Sequence, residues 1–176
     1  MAIRSASLFV LAVAFAAAAP NTFRTAQAGD ASSASAFDRF KALQGEWIAK
    51  PDKTGNAPKL RCVFKVTSAG SAVEETMLPG TKHEMINMIH PDGDGVVLTH
   101  YCAAGNQPEM KAPDKTDGKD VAFQFVRAGN MKSPNESHMH QVTYTFVDND
   151  NLKTTWINYV DGKPAGDMVF EMTRKK

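Results

Sequence analysis

Residues 139–173 read MHQVTYTFVDNDNLKTTWINYVDGKPAGDMVFEMT. Met139 to Val147 alternates between an apolar and aromatic side (Val142, Tyr144, Phe146) and a polar one (Gln141, Thr143, Thr145). Period two is the period of a half-buried strand. Asp148-Asn149-Asp150-Asn151 stops the run, because short polar side chains bond their own backbone in turns. Leu152 to Val160 resumes it, Asp161-Gly162 is a two-residue hairpin signal, and Met168 to Thr173 returns. A parallel pair needs a crossover of about a dozen residues or more, and no helix fits between these runs. The three strands are therefore expected to pair antiparallel.

The same pattern extends toward the N-terminus. Val121 to Arg127 is a strand after the turn Lys115 to Asp120, and Val96 to Cys102 follows the turn Pro91-Asp92-Gly93-Asp94-Gly95. Lys82 to Ile89, Ala72 to Leu78 (ended by Pro79-Gly80) and Leu60 to Val66 (before Gly70) read likewise, and Trp47 starts a strand that enters the Pro51-to-Pro58 turn region. Only Ala36 to Leu43 changes period: Phe37, Phe40 and Leu43 have helical spacing, closed by Gly45. The expected fold is all-β, an antiparallel up-and-down barrel of about eight to ten strands with a short N-terminal helix.

The chain has 176 residues, 43% of them hydrophobic and 22% charged, the values of one ordinary globular domain. A formal charge of +1 lacks the basic footprint of a nucleic-acid binder, so no nucleic-acid partner is expected. Residues 1–28 read as a secretory signal peptide: Arg4 supplies the charged start, Leu8 to Ala19 an apolar run too short to span a bilayer, and Ala26-Gln27-Ala28 a small-residue cleavage site before Gly29. No Cys lies there to carry a lipid anchor, so stable membrane insertion after cleavage is not expected. Residues 29–36, rich in Ser and Ala, read as a flexible leader, and 37–176 as the barrel domain. The expected location is periplasmic or extracellular in a bacterium.

The short helix before Gly45-Glu46-Trp47 and the up-and-down strands after it resemble the lipocalin-like, or calycin, superfamily. In that group a Gly-x-Trp near the first strand packs its Trp across one end of the barrel. The stretch LPGTKHEMINMIHPDGDGVVLTHYCAAGNQPEMKA (Leu78 to Ala112), with His138 to His140 and Trp156, is similar to exported bacterial proteins with a lipocalin-like domain. The resemblance implies fold and export, and carries over no catalytic residue.

Five histidines occupy positions 83, 90, 100, 138 and 140. His100 and Cys102 share a strand face with Val96 and Leu98, and His138 and His140 share one with Val142, Tyr144 and Phe146. Both faces are apolar, so both pairs are expected to point into the barrel. Three imidazoles and a thiol converging there suit Zn or Cu, and a haem with a histidine ligand is conceivable in such an interior. The alternatives are a polar cluster shaping a small-molecule pocket, or core histidines satisfied by neighbouring side chains. His83 alternates with Met85, Asn87 and Ile89 and is read as joining the interior; His90, beside Pro91, is expected at the surface.

Ala103 to Ala112 (AAGNQPEMKA) is expected to be a loop at the barrel rim, with Asn106 and Gln107 offering amides to a ligand or holding the loop itself. Tyr101, Tyr144 and Trp156 complete the candidate ligand-binding set. Cys62 and Cys102 form either a disulfide, which an exported chain permits, or two free thiols; a disulfide excludes Cys102 as a metal ligand. No Gly-x-Ser-x-Gly elbow, Walker A loop or dinucleotide fingerprint occurs. His100 and Cys102 lie about 7 Å apart by strand rise, too far for a thiolate–imidazole pair. The acidic run Asp92-Gly93-Asp94-Gly95 lacks EF-hand spacing and reads as a hairpin turn. The chemistry thus favours a binding protein over an enzyme, holding a small, apolar or planar ligand in its interior. A metal or haem protein, possibly catalytic in function, and a filled structural or interaction barrel stand as alternatives. Eight methionines (77, 85, 88, 110, 131, 139, 168 and 172) are available either to an adaptable pocket or to the core. Ligand identity and oligomeric state are not written in the sequence.

Overall fold

A computed structural model describes residues 35–51, 60–116 and 118–176. The signal peptide, most of the leader and most of the Pro51-to-Pro58 turn region lie outside the described residues. One helix, α1 (Ala36–Ala42), precedes ten strands: β1 (Gly45–Ala49), β2 (Arg61–Thr67), β3 (Ala72–Met77), β4 (Met85–Asp92), β5 (Gly95–Tyr101), β6 (Gln107–Pro113), β7 (Asp120–Gly129), β8 (His138–Phe146), β9 (Asn151–Val160) and β10 (Lys163–Arg174). Each strand pairs antiparallel with its neighbours in sequence, and β1 pairs with β10 to close the barrel. The closing register sets Trp47 opposite Arg174 and Ala49 opposite Met172. The expected all-β up-and-down barrel with its short helix is what the chain forms.

The turns follow their chemistry. Asp161 and Gly162 both have positive φ, the pair of left-handed residues that a tight hairpin between right-twisted strands demands. Gly45 takes φ +128° directly after the helix, which turns the chain from α1 into β1.

Three elements depart from the reading. Gln107–Pro113 is the strand β6, not a rim loop. Its alternation is complete: Pro108, Met110 and Ala112 are buried, while Gln107, Glu109 and Lys111 are partly exposed. Pro108 and Pro113 disguised it, because proline argues against a strand, yet they occupy its second and last positions. Strand β4 begins at Met85 rather than Lys82, and β10 begins at Lys163, with an irregular register between Pro164 and Asp167.

One end of the barrel is plugged. α1 inserts Phe40, which is fully buried, against Phe123, Tyr144 and Phe146. The Ser35 hydroxyl caps the helix by accepting from the Asp38 amide, and Ala36 N–H donates to the Asp114 carbonyl. Arg39 lies over the Phe146 ring and donates to Thr116 and to the Lys119 carbonyl. Trp47 is also fully buried, and its indole N–H donates to the Leu43 carbonyl.

Candidate functional site

The plug leaves the opposite end for a site. Phe146 closes β8 on the helix side, and Met139 starts β8 on the other. There a cavity of about 230 Å³ is lined by Leu60, Met77, Leu78, Met85, Met139, Met168 and Phe170 around His100 and Trp156. The same end holds the start of β2, the β3–β4 connection and the end of β5. Four of the eight methionines, 77, 85, 139 and 168, line the cavity, while Met110 and Met172 are buried core.

A polar row lies across the inner wall beside this cavity. Antiparallel register sets Glu75 opposite Asn87, and Asn87 opposite His100, across β3, β4 and β5. All three are buried. Asn87 Nδ2 donates to Glu75 Oε2 at 2.7 Å and lies 3.3 Å from the Tyr144 hydroxyl, which itself donates to Glu75 Oε2 at 2.5 Å. With its amide nitrogen committed there, Asn87 turns its Oδ1 to His100 Nδ1 at 2.6 Å. An amide oxygen only accepts, so Nδ1 carries the proton and Nε2 is left as a lone-pair acceptor. Neither His100 Nε2 nor Trp156 Nε1 has a hydrogen-bond partner among the described residues, and both atoms are buried. Their rings pack with centroids 5.1 Å apart.

The electrostatics follow from burial. Removal from water pushes the Glu75 carboxyl above its ordinary value, partly offset by the donors Tyr144 and Asn87 and by the Cys62 thiol beside it. Burial, together with the Glu75 charge, pushes the Tyr144 hydroxyl and the Cys62 thiol up as well. Burial alone lowers His100 to about 4, so its imidazole is neutral near pH 7.

His100 and Trp156 are the two predicted residues that line the cavity. Tyr144 supports it from the opposite wall through Glu75 and Asn87. His83 is exposed, a correction: residues 78–84 precede β4, so the alternation that placed His83 inside does not reach it. Tyr101 is 51% exposed, because it is the outward neighbour of His100. Asn106 is fully buried but spends its amide on the Ser137 carbonyl, and Gln107 donates to the Gly105 carbonyl. Both hold the β5–β6 turn, and neither lines the cavity. His90 is exposed.

His138 and His140 do not join His100. The β8–β9 register shifts between Met139 and Gln141, a bulge that reverses the inside and outside assignments along the start of β8. Met139 reaches the cavity in their place. His138 donates from Nδ1 to the Glu136 carbonyl and meets His140 Nδ1 through Nε2 at 2.9 Å. Both rings pack on Phe125 and Tyr159, with the Tyr159 ring stacked 3.7 Å from His140. Among the described residues no group of three or more His, Cys, Asp or Glu side chains is placed to hold a metal ion, so the donor set expected for Zn or Cu does not assemble. Cys62 and Cys102 are free thiols. Cys62 is buried facing Glu75, whereas Cys102 follows β5 and its sulfur accepts from the Ala104 amide.

A larger, open groove of about 420 Å³ lies at the plugged end, beside Arg39, Lys119, Phe146 and Arg174. Its cations are already engaged: Arg39 and Lys119 donate to backbone carbonyls, and Arg174 donates to the carbonyls of Ala42, Gln44 and Asn149. The buried, polar-floored cavity is the better candidate site.

Glu75 and Asn87 were not foreseen as site residues. The signal was present in the period: Glu75 shares its face with Val73 and Met77, and Asn87 shares its face with Met85 and Ile89. No family model matches the chain, and no curated protein matches it.

Proposed function

We propose that this chain is an exported, lipocalin-like binding protein that holds one small, largely apolar molecule in the open end of its barrel. The observation that carries the reading is the cavity of about 230 Å³, walled by seven aliphatic, thioether and phenyl side chains around His100 and Trp156. Buried apolar cavities of roughly 150 Å³ already hold benzene. Drug-sized ligands take about 300–1,000 Å³, so the occupant is smaller than these, and a macrocycle the size of haem does not fit the space. The thioethers adapt to shape, which suits an apolar body of no fixed outline.

Native mass spectrometry of the protein purified from its own host tests the reading. The expected result is a retained organic mass that is lost on mild denaturation. Bare protein would favour the filled structural barrel, and a metal mass would overturn the reading. The same spectrum tests export, since cleavage after Ala28 leaves a mature chain that begins at Gly29.

A further inference from the structure

We infer that the ligand carries a single neutral hydroxyl, held between His100 Nε2 and Trp156 Nε1; the inference rests on the apolar-ligand reading and names the chemistry of the ligand's head. Three observations support it. First, no charged side chain lines the cavity, so nothing there compensates a carboxylate, phosphate or ammonium taken out of water. Second, the wall contributes one unspent acceptor and one unspent donor. The Asn87 carbonyl holds the His100 proton on Nδ1, which leaves Nε2 a lone pair, and the Trp156 indole can only donate. Third, both atoms belong to rings that line the cavity and pack 5.1 Å apart. Buried polar atoms without partners are costly, and proteins seldom leave two side by side. A hydroxyl is the smallest group that satisfies both: it accepts from the indole N–H and donates to the imidazole. A purely apolar ligand would satisfy neither, and an ether or ionised acid would face the His100 lone pair with no proton to give.

Glu75 and Tyr144 then serve as positioning residues. They fix the Asn87 amide, the Asn87 oxygen fixes the His100 tautomer, and the tautomer decides that the ligand must donate. The polar row reads the ligand's head while the methionine wall holds its body.

Three probes that differ only in their head make the test: toluene, p-cresol and p-toluate, titrated into the host-processed protein by calorimetry near pH 7. p-Cresol is expected to bind about tenfold tighter than toluene, the worth of about one buried hydrogen bond, and p-toluate weakest. In His100→Phe, which keeps a ring and removes the acceptor, the advantage of p-cresol over toluene should fall to within about twofold. Trp156→Phe removes only the indole N–H and should shrink the same advantage by a few fold, so the test stands even if His100→Phe fails to fold. Equal binding of toluene and p-cresol overturns the hydroxyl anchor while leaving the apolar-ligand reading in place. Tighter binding of p-toluate overturns the neutral head. If neither toluene nor p-cresol binds the native protein, the cavity reading itself falls.

Discussion

Glu75 is the residue whose burial asks most of the fold. Its carboxyl is enclosed and its pKa is raised, so the native state holds that proton more tightly than the unfolded chain does. Stability from this group is present below the ordinary value of 4.5 and is lost as pH rises through the higher native value. His100 acts in the opposite direction. Its pKa is depressed from 6.5 to about 4, so its contribution is present above 6.5 and is lost as pH falls through about 4. Glu75→Gln keeps an acceptor oxygen for Tyr144 and Asn87 and removes the titration. The variant should therefore gain stability relative to the native protein as pH rises from 5 to 8. Urea midpoints at the two pH values measure it, and a difference that is constant or shrinks with pH would mean that Glu75 is not held protonated by burial. His100 and Trp156 could be read as interior residues from alternation alone. Their partners could not be singled out, because a lone Glu or Asn within an apolar alternation becomes a network only once register sets Glu75, Asn87 and His100 side by side.

At the scale of elements, the strands that alternate cleanly were legible and the irregular ones were not. Val142, Tyr144 and Phe146 face inward as expected, yet the bulge before Gln141 carries His138 and His140 into an aromatic cluster with Phe125 and Tyr159. One extra residue is enough, because a single-residue slip exchanges the faces of a strand. Strand β6 was hidden for a related reason: its two prolines mimic turn chemistry, although its buried face of Pro108, Met110 and Ala112 continues the period. The helix was legible from Phe37, Phe40 and Leu43, but its role as a plug was not, since that depends on which barrel end it meets. Phe40 is the wedge, with ring centroids 5.0–5.7 Å from Tyr144, Phe146 and Phe123. Phe40→Ala should cost about 3–5 kcal/mol of unfolding free energy, the usual loss when a fully buried phenyl leaves a cavity. A loss below about 1 kcal/mol in chemical denaturation would show that α1 rests on the barrel without plugging it.

For the whole molecule, closure is the decisive event. An open ten-stranded meander would expose the edges of β1 and β10, whose unpaired backbone groups invite pairing with other chains. β1 has only five residues, and three register pairs join it to β10, so the ladder at the seam is short. Arg174 reinforces it. Its guanidinium lies 4.4 Å from the Trp47 ring centroid and donates to the carbonyls of Ala42 and Gln44 at the end of α1 and of Asn149 in the β8–β9 turn. One side chain thus ties the helix, β1, β10 and a distant turn together, and its hydrogen bonds are charge-assisted, worth roughly 1.5–3 kcal/mol where they are shielded from water. Arg127 provides the contrast: its bidentate pair with Glu109 has good geometry, but its side chain is 70% exposed, and exposed pairs contribute about 0–1 kcal/mol. Arg174→Met keeps much of the packing over Trp47 and removes the donors, and should cost about 2 kcal/mol. Arg127→Met should cost less than about 1 kcal/mol. Size-exclusion chromatography should also show association in the first variant alone, because only it loosens the seam and frees strand edges. Equal losses in the two variants, with both remaining monodisperse, would place the strength of the seam in the β1–β10 ladder itself and leave Arg174 an ordinary surface cation.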